Sequence, residues 1–182
     1  MVFQNNILSG VGGQGGTGGY TVDYSCRFDG ANKGSLYFTP TTSSAAQKTY
    51  TLSAWVKRGN LSLRQVVIGC ADSGASAFSY ALMAPNAAAA KNLGSSNSGN
   101  PSSYGLEKSD MALVDPTAWF HIMLVIDTTE AVDTDRANIY YNGVKLTGYD
   151  VANYPPQDSE MNMNHSSFAI AVGTLGVWSP ET

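Results

Sequence analysis

Ala137-Asn138-Ile139-Tyr140-Tyr141-Asn142-Gly143-Val144-Lys145-Leu146 decides the fold class. Asn-Gly between two β-prone runs predicts a hairpin with a type I′ turn, because both turn residues need positive φ. Upstream, Trp119-Phe120-His121-Ile122-Met123-Leu124-Val125-Ile126-Asp127 is apolar at both parities, which predicts a central strand covered on both faces. Tyr50-Thr51-Leu52-Ser53-Ala54-Trp55-Val56-Lys57 alternates with period two and ends at the turn signal Arg58-Gly59-Asn60. Gln65 to Cys70, Ala77 to Met83 and Ser167 to Gly173 read as further strands, and Ser35 to Phe38 follows a turn at Ala31 to Gly34. The run Ala87 to Lys91 suggests helix, and Asn92 to Pro101 reads as polar loop. Many short strands with frequent turns predict an all-β antiparallel sandwich.

The composition agrees. Charged residues make up 13% of the 182 residues, against about 25% in ordinary soluble domains. A formal charge of −4 with 10 Lys+Arg leaves no basic stripe, which argues against nucleic acid as a partner. No apolar run approaches the roughly 18 residues of a membrane span, and the first residues lack the charged and apolar regions of a secretory signal. Cys26 and Cys70 are too few for a disulfide scaffold and read as two buried free thiols rather than one bridge. Residues 1–24 differ from the rest. Gly10 to Gly19 formally contains GxGxxG at Gly10, Gly12 and Gly15, but without the flanking strand and helix of a dinucleotide site. The segment reads as a flexible arm, ordered only if it lies along another subunit, with Gly12, Gly15 and Gly18 as its assembly residues.

Five stretches occur in a telling order: Ser25 to Gly34, Thr51 to Asn60, Asp115 to His121, Asp127 to Arg136, and Ile139 to Gly143. Together they resemble the concanavalin A-like, laminin-G-like jelly-roll domains of bacteriophage virion proteins, over about residues 25–172. The opening Phe3-Gln4-Asn5-Asn6-Ile7-Leu8 is similar to the start of such proteins. The resemblance implies a two-sheet jelly roll over residues 25–182, a virion location and a part in capsid decoration, tail or fibre. The partners it implies are other virion proteins, further copies of the chain and a host surface glycan, with no membrane. Its members continue past the strand matching Phe168 to Val172 into a further apolar strand. Here Leu175-Gly176-Val177-Trp178 follows instead, so either the chain is partial or a sheet edge is open to a neighbouring subunit or the arm. Trp178 is the aromatic assembly candidate.

The expected function is therefore a non-enzymatic virion structural protein. A lectin-like adhesin is the alternative, and a polysaccharide depolymerase a weaker one. Glycoside hydrolysis needs two carboxyl groups about 5–9.5 Å apart, and Glu107, Glu130, Glu160 and Glu181 all fall in expected loops or at the end. No Gly-x-Ser-x-Gly elbow exists; His121 reads as a core or sheet-edge histidine and His165 as an exposed one. Asp127, Glu130, Asp133 and Asp135 could gather around Ca²⁺, with Asp133 and Asp135 the candidate ligands. They lack EF-hand spacing, so the loop reads as solvated, with an Asp135–Arg136 surface pair and no metal or other cofactor. Trp55 and Trp119 are expected between the sheets. For sugar stacking the candidates are the loop aromatics Tyr104, Tyr149 and Tyr154, with Asn100, Asp150, Asn153 and Asp158 as polar neighbours.

Overall fold

The computed structural model describes residues 26–28, 35–42, 45–59, 65–72, 77–83, 93–98, 103–108, 111, 113 and 115–173. Among them eleven strands form two antiparallel sheets. They are β1 (Leu36–Phe38), β2 (Thr49–Lys57), β3 (Gln65–Ala71), β4 (Phe78–Met83), β5 (Leu93–Ser98), β6 (Tyr104–Lys108), β7 (Trp119–Asp127), β8 (Ala137–Tyr141), β9 (Val144–Lys145), β10 (Val151–Asn153) and β11 (Ala169–Val172). One sheet runs β1-β11-β3-β4-β5-β6-β10, the other β2-β7-β8-β9. The chain changes sheet after β1, β2, β6 and β9, which makes the sandwich a jelly roll. The expected arm, with Gly12, Gly15 and Gly18, the candidate helix at Ala87 to Lys91, and Trp178 lie outside the described residues.

The Asn-Gly hairpin forms as expected. Asn142 and Gly143 have φ of 48° and 81°, and Tyr141 pairs with Val144 across the turn. Strand β7 is central in its sheet, but it is not covered on both faces. Phe120, Ile122, Leu124 and Ile126 are buried, while the opposite parity is exposed or half-buried. Against the buried parity pack Leu93, Leu106, Ala137, Ile139 and Met161, with Tyr50, Leu52, Ala54 and Val56 of β2 partly buried beside them. A second cluster joins Cys70, Met163 and Ile170 to Tyr50, Leu52 and Ile68.

Residues 92–101 are not simply a polar loop, because β5 occupies Leu93–Ser98 in the middle of the larger sheet. Its two buried polar side chains, Ser95 and Asn97, are tolerated there because each has a partner. Ser95 Oγ and Tyr104 Oη are 2.7 Å apart. Asn97 Oδ1 accepts from the Ser79 hydroxyl and, at 2.9 Å, from the Asn162 amide. Gln47 then ties the long connection before β11 to the start of β2. Its side-chain amide donates to Met161 O at 2.9 Å, and its carbonyl accepts from Met161 N at 3.0 Å.

The two sheets are not flush. β2 ends the smaller sheet over β3 and β11, so β1 extends past it. Leu36 and Phe38 of β1 consequently remain 57% and 59% exposed. Between the sheets, next to β2, lies a cavity of about 400 Å³ lined by Leu52, Ala54, Ile68, Leu93, Ile122 and Val172 among others.

Candidate functional site

The residues expected to stack on sugar are used structurally. Tyr104 is not in a loop. It belongs to β6, is 3% exposed, and binds Ser95 through its hydroxyl. Tyr149 and Tyr154 are half-buried against the main core. The Tyr149 hydroxyl accepts the Ile139 amide at 3.2 Å, and burial raises its pKa. A phenol suits such a position because its ring fills the core while its hydroxyl completes a backbone hydrogen bond. Asp150, Asn153 and Asp158 are exposed, and Asn100 lies outside the described residues.

The acidic loop also differs from expectation. Asp135 pairs with Lys145 at 3.5 Å, not with Arg136. The Arg136 guanidinium instead donates to the carbonyls of Glu130, Ala131 and Pro155, closing the loop from within. Asp133 accepts the Thr134 amide. Among the described residues no three His, Cys, Asp or Glu side chains gather where they could hold a metal. Glu107 lies in β6 rather than in a loop, and Glu130 and Glu160 are exposed. Neither described cysteine is bridged: Cys70 is buried as expected, and Cys26 is exposed.

The aromatic surface that does exist was expected inside. Trp55 is 55% exposed and Trp119 is 40% exposed. In β2 the parity Tyr50, Leu52, Ala54, Val56 turns inward, and Thr49, Thr51, Ser53, Trp55, Lys57 turns outward. In β7 the parity of Trp119 and His121 is likewise outward. The register sets Trp55 opposite His121 and Lys57 opposite Trp119. The two indoles are therefore diagonal neighbours on adjacent strands, on the order of 7–8 Å apart at the backbone. One outer face of the smaller sheet carries them both.

This face is braced. The Trp55 and His121 rings lie 5.3 Å apart at 44°. His121 Nε2 is 2.8 Å from Ser53 Oγ, which fixes the imidazole against the sheet. The His121 amide donates to Asn142 Oδ1 at 2.8 Å, and the Asn142 amide donates back to the His121 carbonyl at 2.8 Å. The hairpin turn is thus docked against the middle strand that carries His121. At the Trp119 end, the Thr117 hydroxyl and amide donate to Asp115 Oδ1 at 2.6 and 2.7 Å. These bonds hold the exposed Asp115 carboxyl below its usual range, with Lys57 acting in the same direction. The result is a braced outer face that carries two exposed indoles with hydrogen-bonding groups beside them.

A family model described as the concanavalin A-like lectin/glucanases superfamily matches residues 13–168. The chain belongs to this superfamily. Among solved structures, mouse laminin alpha1 chain domains LG4-5 are similar, with a TM-score of 0.50 and 10% identity. The likeness covers 81% of this chain and 34% of that one, so the concanavalin A-like chain spans about a third of that structure, and it shows the fold alone. No curated protein sequence matches. In this concanavalin A-like domain the exposed indoles sit on the smaller sheet, away from the loops that the sequence suggested. Parity was the available signal: Trp55 shares its face with Thr51, Ser53 and Lys57, and Trp119 shares its face with His121.

Proposed function

We propose that this concanavalin A-like domain is a non-catalytic binding module that attaches to a surface polysaccharide through the Trp55–Trp119 face. The observation that carries the reading is the pair of exposed indoles on adjacent strands, braced by Ser53 and His121. Pyranose rings present C–H patches that lie on aromatic faces, while their hydroxyls exchange hydrogen bonds with neighbouring polar groups. Such contacts hold a sugar chain without breaking it. Hydrolysis needs two facing carboxyl groups about 5–9.5 Å apart, and this patch is built from Trp, His, Ser and Lys, with the Asp115 carboxyl at its Trp119 end tied up by Thr117.

Titration with host-surface polysaccharide, followed by tryptophan fluorescence, tests the reading. Trp55→Ala or Trp119→Ala should each weaken binding by roughly thirty-fold, the effect of removing an aromatic anchor worth about 2 kcal/mol. Both sites are exposed, so Tm should barely move. A blank glycan array, or affinity indifferent to both substitutions, rejects it. Release of reducing sugar that Glu107→Gln or Glu130→Gln abolishes would replace it with a depolymerase.

The second reading is assembly into a bacteriophage particle, as a decoration, tail or fibre protein. The exposed edge residues Leu36, Tyr37 and Phe38, at 57%, 56% and 59%, favour it, since solvent-facing apolar edges invite a partner. Locating the chain in an assembled particle tests it, and removing residues 1–24 should abolish incorporation.

A further inference from the structure

We propose that Asn142 is a self-modification site. The main-chain nitrogen of Gly143 attacks the Asn142 side chain, and two hydrogen bonds to His121 hold this deamidation back in the folded domain. The reaction is independent of glycan recognition, and only its effect on affinity rests on the reading above.

Asn142 alone among the asparagines precedes a glycine. The attacking nitrogen belongs to the following residue, and glycine has no side chain to crowd its approach. Both residues are exposed at the hairpin tip. A Cβ on Gly143 would meet nothing within 4 Å among the described residues, so water and base reach this nitrogen freely.

The step needs no partner but water. The Gly143 nitrogen gives up its proton and bonds to Asn142 Cγ. The Cγ–Nδ2 bond breaks, and the amide leaves as ammonia with that proton. Water then opens the resulting five-membered imide at one of its two carbonyls. One opening gives aspartate on an unchanged main chain. The other gives isoaspartate, whose main chain runs through the former side chain and is one carbon longer.

The folded hairpin resists the attack. Tyr141 pairs with Ile122, so Asn142 stands opposite His121, one step further along the ladder. At a φ of 48° the chain is already turning there. The side chain therefore takes the place of a ladder carbonyl, and Asn142 Oδ1 accepts the His121 amide at 2.8 Å. The Asn142 amide returns a bond to the His121 carbonyl at 2.8 Å. Attack requires the Gly143 nitrogen and Cγ to approach within about 3–3.5 Å in line. With Oδ1 tied to β7 and the turn holding Gly143 at a φ of 81°, that approach first breaks the clamp. The reaction thus proceeds through local openings of the tip, and its rate scales with their population. Two net hydrogen bonds set that factor at about thirty-fold.

Isoaspartate then undoes the clamp for good. A two-residue type I′ turn does not accommodate an extra main-chain carbon. Tyr141 and Val144 lose their pairing across the turn, and His121 loses its anchor. The His121 ring lies 5.3 Å from Trp55, and its Nε2 meets Ser53 Oγ. Ageing at the hairpin tip therefore reaches the indole face through a single strand residue.

The full chain, incubated at mildly alkaline pH either folded or unfolded in urea, tests this by intact mass and peptide mapping. The unfolded chain should gain the mass of an amide-to-acid exchange first at Asn142, with isoaspartate in excess. The folded chain should do so about thirty-fold more slowly. Asp29-Gly30 also isomerises by this chemistry, but without a change of mass. Asn142→Gln should hold its mass over the same time in urea, because its larger ring closes slowly. Asn142→Asp should stay folded with unchanged tryptophan emission, since Asp-Gly serves the same turn and keeps an oxygen for His121. The isoaspartate chain should shift that emission as His121 leaves Trp55, and should bind polysaccharide at least about threefold more weakly. Equal rates in the two arms, a first mass gain elsewhere, or an isoaspartate chain with unaltered emission overturns the proposal. A fresh chain that binds no polysaccharide counts against the glycan reading, and mass and emission still decide this one.

Discussion

Cys70 and Cys26 show how far burial separates two identical side chains. Cys70 is fully enclosed, and burial pushes its thiol up to about 12, with hydrogen bonds from Ser79 opposing the shift in part. Cys26 is exposed. Because the thiolate is the reactive form, an aromatic disulfide reagent at neutral pH should modify one thiol per native chain and two after unfolding. Two rapid modifications in the native state would contradict the placement of Cys70. The sign of the pH effect follows. The folded pKa is raised above the roughly 8.5 of an unfolded thiol. The contribution of Cys70 to stability is therefore whole below about pH 8.5 and declines as the pH climbs toward 12, where the unfolded chain has already released its proton. At the same scale, Tyr50 is raised well beyond the usual phenol range by burial, with Tyr104 adding to it, so the Tyr50 hydroxyl also resists alkaline ionisation.

Strand β5 carries the lesson at the scale of elements. Leu93-Gly94-Ser95-Ser96-Asn97-Ser98 has almost no β-branched or aromatic content and reads as loop. It becomes an interior strand because its side chains complete bonds that other elements leave open. Asn97 Oδ1 receives both the Ser79 hydroxyl and the Asn162 amide, and the Asn162 side chain donates to Ser98 O at 2.8 Å. Asn97→Ala should leave at least one buried donor without a partner and cost on the order of 3 kcal/mol, visible as a lower urea midpoint at unchanged slope. A change below about 0.5 kcal/mol would mean that the network is not structural. Such long-range partners, 18 and 65 residues away, have no local sequence signature. The hairpin at Asn142-Gly143 was legible because its cause is local: two backbone dihedrals and the residues that tolerate them. For β2 the polar parity marked the outward face, but for β7 the strand was legible and its outward face was not. In β7 both parities are apolar, and only His121 marks the side that meets water. That ambiguity hid the indole face.

At the scale of the whole molecule, the chain is acidic, with a net charge of −4 and a pI near 4.9, yet its aromatic face carries Lys57 and His121 rather than a cluster of acids. Adhesion by ring stacking is short-ranged and hardly screened, whereas charge attraction between exposed groups fades beyond a Debye length of about 10 Å at 0.1 M salt. Binding to a neutral polysaccharide should therefore change less than about twofold between 0.05 and 0.5 M NaCl. A steep loss with salt would assign the face to anionic sugars held by Lys57. The layered design also has a cost in time. Phe38 pairs with Ile170 and Leu36 with Val172, so the first described strand is completed only by the last. On a ribosome adding about 5–20 residues per second, the roughly 130 residues between them take on the order of 7–27 s. Throughout that interval the apolar side chains of Leu36 and Phe38 have no β11 to pack beside, which gives slow translation downstream of β1 a direct route to lower yield.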